Sequence, residues 1–294
     1  MADSIGSASA TNPPSTAEPL YGSSGASADR KPFSIVNLRS LRAQGGRIAM
    51  VTCYDASFAH LLSDAGVDMI LIGDSLGMVI QGHDSTLPVT VSDVVYHTGC
   101  VARARPRSMV VADMPYGSYQ ESPEQAYRNA AVLMQAGAQM VKIEGGQWVV
   151  PTVEFLVRRG IPVCAHLGLT PQSVHALGGY RVQGRGAAGA QMINEAQALE
   201  AAGAAVVLVE LIPSPLGQAL TEALTIPTIG IGAGPGTTGQ VLVLHDLLDV
   251  TPGRKARFVK NYMALGGSVQ RALSLFVQEV KSGAYPGPEH GFAE

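Results

Sequence analysis

From residue 48 onward, the sequence alternates between short apolar runs rich in β-branched residues and longer alanine-rich stretches with helical spacing. This alternation is typical of βα units, in which successive strands lie parallel in one sheet and helices cover it. The predicted strands span residues 48–55, 69–74, 109–115, 140–146, 163–168, 206–213, 228–234 and 241–246. Eight strands are the number that closes a (β/α)8 TIM barrel, which we predict, although a doubly wound sheet would use the same units.

Helix-boundary signals lie between the predicted strands. In residues 122–137, Ser122 is a predicted N-cap and Pro123 fits the first helical position. Gln125 is predicted to complete a capping box, and Gly137 to end the helix.

The composition favours a single α/β domain behind a leader. Hydrophobic residues make up 46% of the 294 residues and charged residues 15%, which is enough apolar material for a large core. Residues 1–31 are rich in Ser, Ala, Gly and Pro and lack the apolar region of a secretory signal, so we expect a disordered leader. Residues 32–294 are expected to form the barrel, with additional helices at the C-terminal end.

Charge and cysteine content narrow the possible partners. The net charge of -3 argues against a nucleic-acid-binding or membrane-surface protein, which would normally carry a basic patch. No apolar run approaches the length of a membrane span. Three cysteines without CxxC spacing indicate reduced thiols and a cytoplasmic protein, and we expect Cys53 and Cys164 to be core residues.

Acidic residues follow three neighbouring predicted strands. Asp74 ends the second strand, Asp113 the third and Glu144 the fourth. Active sites of parallel α/β folds form at the carboxyl ends of strands, so these side chains should converge in one crevice. Converging carboxylates repel each other unless a cation neutralises them, and oxygen ligands without His or Cys favour Mg²⁺.

Two further polar residues lie on the fourth and fifth predicted strands. Side chains alternate along a strand, so Lys142 should face the same cavity as Glu144. Lys142 is then either a plain ion-pair partner or a contact for an anionic substrate. His166 is either a buried core histidine or, because other polar residues end the adjacent strands, part of a site.

Glu210 ends the sixth predicted strand in apolar surroundings. Such surroundings favour the protonated carboxyl and suit a general base; the alternative is a buried ion pair with Arg181 or Arg185. The segment 167–190 contains six glycines and is too long for a simple βα connection, which is typical of a functional loop. Asp55 is either a fourth acid at the barrel mouth or a structural residue.

Several long sequence segments closely resemble those of the ketopantoate hydroxymethyltransferase family. The resemblance extends from about residue 33 to the C-terminal PGPEHGF. The segments are GDSLGMVIQGHDSTLPVTVSDVVYHT, VVADMPYGSY, VKIEGG, AHLGLTPQSVHALGGYRVQGRG, LVELIP and IPTIGIGAG. The resemblance implies a (β/α)8 barrel that transfers a hydroxymethyl group from 5,10-methylenetetrahydrofolate to 3-methyl-2-oxobutanoate, the first committed step of pantothenate biosynthesis.

The resemblance also implies roles for individual residues. The family's Mg²⁺ ligands match Asp74, Asp113 and Glu144, and its general base matches Glu210. Positions that contact the α-keto acid match Asp74, Ser75, Asp113, Lys142 and His166. Family members assemble as large homo-oligomers, commonly homodecamers.

Two other functions remain open from the sequence. A related Mg²⁺-dependent barrel enzyme could make or break a C–C bond next to an α-keto acid, as isocitrate lyase-like enzymes do, without folate. A non-catalytic barrel that only binds a keto acid is the second alternative.

Overall fold

The structure, a computed structural model, describes residues 31–293. The predicted leader lies outside the described residues except for Lys31, so its disorder stays a prediction. Within residues 31–293, no helix combines the length and the apolar character that a bilayer-spanning segment requires.

Eight parallel strands close into a barrel in which each strand pairs with the next and β8 pairs with β1. The strands are β1 (Ile48–Thr52), β2 (Met69–Ile72), β3 (Met109–Asp113), β4 (Met140–Glu144), β5 (Val163–Gly168), β6 (Val206–Glu210), β7 (Thr228–Ile231) and β8 (Gly239–Leu242). Nearly all their residues are buried, because inward side chains fill the barrel and outward ones pack against helices. The prediction of a (β/α)8 barrel is therefore confirmed.

Helices cover the outside of the barrel and extend past its last strand. They are α1 (Ile35–Ala43), α2 (Ala56–Ala65), α3 (Leu76–Val79), α4 (Val91–Arg103), α5 (Pro123–Gln135), α6 (Val150–Val157), α7 (Ala187–Ala201), α8 (Ser214–Ala223), α9 (Leu244–Leu247), α10 (Tyr262–Gly266) and α11 (Val269–Ser282). The C-terminal α11 packs its apolar face, which includes Leu273 and Phe276, into the core.

The first seven strands begin at the predicted residues, whereas the prediction for the eighth was wrong in its bounds. β8 starts two residues earlier, at Gly239, and ends at Leu242. Residues 244–246, predicted as strand, belong to the short helix α9 (Leu244–Leu247), whose first amide, that of Leu244, donates to Thr52 Oγ1 at 3.0 Å. The apolar run 241–244 thus contains both a strand and the start of a helix, which hydrophobicity alone does not separate.

The start of α5 is as predicted, except for the capping box. Ser122 Oγ accepts from the Gln125 amide at 3.1 Å, and Pro123 occupies the first helical position. The Gln125 side chain instead accepts from the Glu121 amide at 3.2 Å and donates to Gly117 O at 2.8 Å, so the prediction of a capping box was wrong. Gly137 follows the end of the helix with a φ of 117°, which confirms the predicted stop.

Two glycines with positive φ provide a test of how tightly the barrel mouth is packed. Gly168 ends β5 with φ 91°, and a Cβ there would overlap the Glu210 carbonyl oxygen. Gly117 has φ 82°, but a Cβ there would meet nothing within 4 Å.

We therefore expect Gly117→Ala to lower the free energy of unfolding by about 1 kcal/mol, the cost of a left-handed backbone. Gly168→Ala adds overpacking and should lower it by about 2–4 kcal/mol. Urea unfolding followed by circular dichroism measures both values. Equal losses in the two variants would contradict the close packing at Gly168.

Candidate active site

The carboxyl ends of strands β2 to β6 bring the predicted polar residues to one end of the barrel. Cross-strand partners are Asp113 with Lys142, Glu144 with His166, and Gly168 with Glu210. Asp74 lies two residues beyond the end of β2, and its amide donates to Asp113 Oδ2 at 2.8 Å. The predicted convergence of these side chains is what parallel strands in sequential order produce.

Lys142 lies at the centre of the acidic cluster. Its Nζ lies 2.7 Å from Asp113 Oδ1 and 3.4 Å from Glu144 Oε1. Burial favours the neutral amine, but Asp113, Glu144 and Asp74 outweigh it and raise the pKa of Lys142 well above its usual value. Lys142 is therefore a buried ammonium. It lies beside Glu144, as predicted from the alternation of side chains along the strand.

Asp74 and Asp113 are both held in surroundings that oppose their ionisation. Burial, then the charges of Asp113 and Glu144, raise the pKa of Asp74 well above its usual value. Burial also raises the pKa of Asp113, although Lys142 counteracts part of this effect. A cation at this end of the barrel would remove the repulsion between the two carboxylates.

Both carboxylate oxygens of Glu144 have partners, and its pKa shifts in the opposite direction from those of the two aspartates. Its Oε1 lies 3.3 Å from His166 Nδ1 as well as near Lys142, and its Oε2 accepts from the Gln172 amide at 3.1 Å. Burial opposes its ionisation, but Lys142 and His166 outweigh burial and lower the pKa of Glu144. Glu144 is thus a buried carboxylate that stays ionised.

His166 links the acidic cluster to Glu210. Its Nε2 lies 3.4 Å from Glu210 Oε2. Burial and Lys142 disfavour the imidazolium, but Glu144 and Glu210 outweigh them and raise the pKa of His166 to about 9. Within the described residues, neither Arg181 nor Arg185 forms an ion pair with Glu210, so the alternative of a buried arginine partner is not what this structure contains.

Ser75 lies at the edge of the cluster, beside Tyr54. The hydroxyls of Ser75 and Tyr54 are 2.8 Å apart. A Cβ on Gly73 would lie 2.9 Å from Ser75 Oγ and 3.6 Å from Asp113 Oδ2, so both groups approach the same glycine. The structure thus places Ser75 near Asp113, where it was predicted to contact substrate.

Gln172 is a site residue that the sequence interpretation missed. Its Nε2 donates to Asp74 Oδ2 at 2.9 Å and to Met114 O at 3.0 Å, while its Oε1 accepts from the Tyr119 hydroxyl at 2.7 Å. The backbone amide of Gln172 also donates a hydrogen bond to Glu144, so this one residue holds the side chains of both Asp74 and Glu144 in position. Gln172 belongs to the glycine-containing segment 167–190, but no feature distinguishes this glutamine from others in the sequence.

Asp55 and two of the cysteines have structural roles. Asp55 is the N-cap of α2, and its Oδ1 accepts from the Phe58 amide at 2.9 Å. Cys53 and Cys164 are buried without disulfides, as predicted, and burial raises the pKa of each thiol to about 12.

The donor set fits a hard divalent cation in its chemistry and charge. Four carboxylates face two cationic side chains, and oxygen atoms are the ligands that Mg²⁺ prefers. Asp113 Oδ1 accepts no hydrogen bond of good geometry within the described residues, despite the nearby ammonium. However, in residues 31–293 no group of three His, Cys, Asp or Glu side chains is spaced to hold a metal ion, so the three-ligand set stays a prediction.

These features define a class: a (β/α)8-barrel enzyme whose mouth carries a buried cluster of acids around a lysine and a histidine. Comparison with known proteins identifies the family. Residues 32–288 match the sequence profile described as ketopantoate hydroxymethyltransferase, and the chain belongs to this family.

Related proteins cover most of the chain. It is 60% identical over 258 residues to the 3-methyl-2-oxobutanoate hydroxymethyltransferase of Dechloromonas aromatica (strain RCB), a match that covers 87% of this chain and 95% of the relative. It is 56% identical over 264 residues to the protein of the same name from Burkholderia multivorans (strain ATCC 17616 / 249), with 90% and 97% covered.

Solved structures resemble the barrel at much lower identity. A putative phosphonomutase from Burkholderia cenocepacia J2315 has a TM-score of 0.58 and 19% identity, over 74% of this chain and 95% of that one. A phosphonopyruvate hydrolase in complex with oxalate and Mg²⁺ has a TM-score of 0.57 and 14% identity, over 88% and 93%. At such identities the likeness shows the fold alone.

Replacing Gln172 tests whether it holds the acid cluster together. We expect Gln172→Leu to lower the free energy of unfolding by about 1–3 kcal/mol, because the buried oxygens of Asp74 and Met114 lose the donor that Gln172 supplies. Gln218→Leu, at an exposed glutamine whose side chain donates to Glu222 on its own helix, should change the free energy of unfolding by less than about 0.5 kcal/mol. Urea unfolding of both variants checks this; a Gln172 variant as stable as the Gln218 control would show that the network contributes little.

Proposed function

We propose that this chain transfers a hydroxymethyl group from 5,10-methylenetetrahydrofolate to 3-methyl-2-oxobutanoate, giving 2-dehydropantoate in the first committed step of pantothenate biosynthesis. Family membership and relatives that carry the corresponding name support this activity. The geometric observation that carries the proposal is the position of Glu210. Its side chain is 16% exposed at the edge of a cluster in which the other acids are almost fully buried, so it is the most accessible acid of the cluster.

We also propose Mg²⁺ as the ion of the acidic cluster, with Asp74, Asp113 and Glu144 as its protein ligands. Asp74 and Asp113 fit this role best, because their ionisation is opposed and Asp113 Oδ1 accepts no hydrogen bond of good geometry. When bound, such an ion polarises the oxygens of an α-keto acid and thereby acidifies the hydrogen on C3.

Three side chains would orient the keto acid. Lys142 is a fixed ammonium that would stabilise negative charge developing on the keto oxygen. Ser75 would donate a hydrogen bond to the substrate carboxylate, with its hydroxyl positioned by Tyr54. His166, held between Glu144 and Glu210, would contact the substrate from the fifth strand.

Glu210 would act as the general base and remove the C3 proton. The resulting enolate carbon attacks the methylene carbon of the folate, which forms the new C–C bond. The two carbon–nitrogen bonds of the methylene group would break, and water would supply the hydroxyl group. The proton taken by Glu210 and the remaining proton of water would pass to the two folate nitrogens, so that tetrahydrofolate leaves and Glu210 is ionised again.

Release of tetrahydrofolate tests the activity and separates it from a folate-independent enzyme that makes or breaks C–C bonds. We expect release that depends on 3-methyl-2-oxobutanoate, falls to background in excess chelator and returns with added Mg²⁺. Spectrophotometric detection of tetrahydrofolate measures it. Turnover that persists in chelator would contradict the proposed metal, and lack of any release would contradict the proposed function.

Glu210→Gln tests the general base. We expect it to slow exchange of the C3 hydrogen with solvent deuterium by roughly 10²–10⁴-fold, because the amide cannot accept the proton. Binding of Mg²⁺, measured by calorimetry, should persist. Proton NMR follows the exchange, and Glu222→Gln, at an exposed acid of α8, serves as the matched control. Exchange at the wild-type rate in Glu210→Gln would remove Glu210 from the mechanism.

Assembly as a homodecamer, residence in the cytoplasm and lack of nucleic-acid partners stay predictions. Sedimentation velocity gives the number of subunits directly.

A further inference from the structure

A cavity of about 260 Å³ lies beside the acidic cluster, and the mechanism above does not use it. Its walls come from the residues that follow β4, from the end of β5, and from one face of α7. Gly145, which directly follows Glu144, lines it on one side, and Gly168, the register partner of Glu210, lines it on another. The cavity therefore adjoins the backbone that follows Glu144 and, through Gly168, the backbone of Glu210.

The aromatic wall of this cavity is Trp148. The residue is 55% exposed, which is unusual for a tryptophan that already stacks on Tyr119, with ring centroids 6.0 Å apart and planes inclined by 11°. A Cβ on Gly145 would lie 2.7 Å from the indole, so the ring rests on a backbone that only glycine leaves open. Tyr119 donates to Gln172 and thereby connects this ring pair to the acid cluster.

Glu195 on α7 supplies a carboxylate to the lining of the same cavity. Its carboxylate packs against Gly146 so closely that a Cβ on that glycine would overlap it. Its hydrogen-bond partner is Gln191 one turn earlier, at 3.1 Å, and within the described residues no lysine or arginine neutralises it. A half-buried carboxylate with spare acceptor capacity facing a cavity suits a ligand that presents adjacent N–H donors.

We propose that this cavity binds the reduced pterin ring of the folate co-substrate, with the ring against Trp148 and its 2-amino and N3–H donors on Glu195. A flat heterocycle matches an exposed aromatic face, and paired N–H donors match a carboxylate. The proposal rests on the proposed function and adds to it the location of the second substrate. The cavity reaches Gly168, which lies against the backbone of Glu210, so a ring bound there would lie on the Glu210 side of the barrel mouth.

Steady-state kinetics of two variants test the proposed pterin site. We expect Glu195→Gln to raise the KM for methylenetetrahydrofolate roughly tenfold or more, the cost of losing charged hydrogen bonds. Trp148→Ala should raise it roughly 5- to 100-fold, and Trp148→Phe should restore most of the affinity. The KM for 3-methyl-2-oxobutanoate should change by less than about twofold in each of these variants. General misfolding would not raise the KM of one substrate and leave that of the other unchanged. The control is Glu154→Gln, at the exposed ion-pair partner of Arg158, which should leave the KM of both substrates unchanged.

A direct binding measurement uses Trp148 itself, since it is the one tryptophan of the chain. Tetrahydrofolate, kept reduced under argon, should quench the intrinsic fluorescence saturably, with a midpoint shifted at least tenfold in Glu195→Gln. Absence of quenching in the wild type, or an unchanged folate KM in both variants of an active enzyme, overturns the pterin site and leaves the proposed function intact. A wild type that releases no tetrahydrofolate overturns both.

Discussion

The ion pair between Lys142 Nζ and Asp113 Oδ1, at 2.7 Å, lies at the centre of the barrel mouth. Around it, Asp74, Glu144 and His166 are almost fully buried, and Glu210 lies at the edge. The charge of one lysine and one protonated histidine does not balance four carboxylates, so the mouth favours an additional cation. Ionisation is opposed most at Asp74 and Asp113, whose pKa values are raised first by burial and then by neighbouring carboxylates.

The barrel itself could be predicted from the sequence because parallel strands buried on both faces form continuous apolar runs with clear starts. Seven of the eight predicted starts match the structure. Convergence of Asp113, Lys142 and His166 was also predictable, since neighbouring strands in sequential order bring their carboxyl ends together. The strand ends were less accurate, and at β8 the apolar run continued into a helix.

Contacts that depend on loop conformation could not be predicted. Gln172 reaches Asp74 across 98 positions of sequence, and nothing in its local sequence indicates that contact. The same holds for the stacking of Tyr119 on Trp148 and for the bond between Tyr54 and Ser75. The Gln125 side chain donates to the loop carbonyl of Gly117 instead of forming the predicted capping box, because tertiary contacts compete with local motifs. Strand periodicity fixes where the acids lie, whereas loops decide what each acid contacts.

The dependence of stability on Mg²⁺ tests most directly whether surplus negative charge makes the mouth a cation site. An ion that binds only the folded chain should raise the free energy of unfolding of the wild type by about 2.7 kcal/mol at 100 times its Kd. Asp74→Asn should lose this response and, in chelator, be at least as stable as the wild type, because the amide carries no charge to repel Asp113 and can still accept from Gln172. Urea unfolding with and without Mg²⁺ measures both values. A wild type whose stability does not change with Mg²⁺, or an Asp74→Asn variant that keeps the full response, would contradict the account.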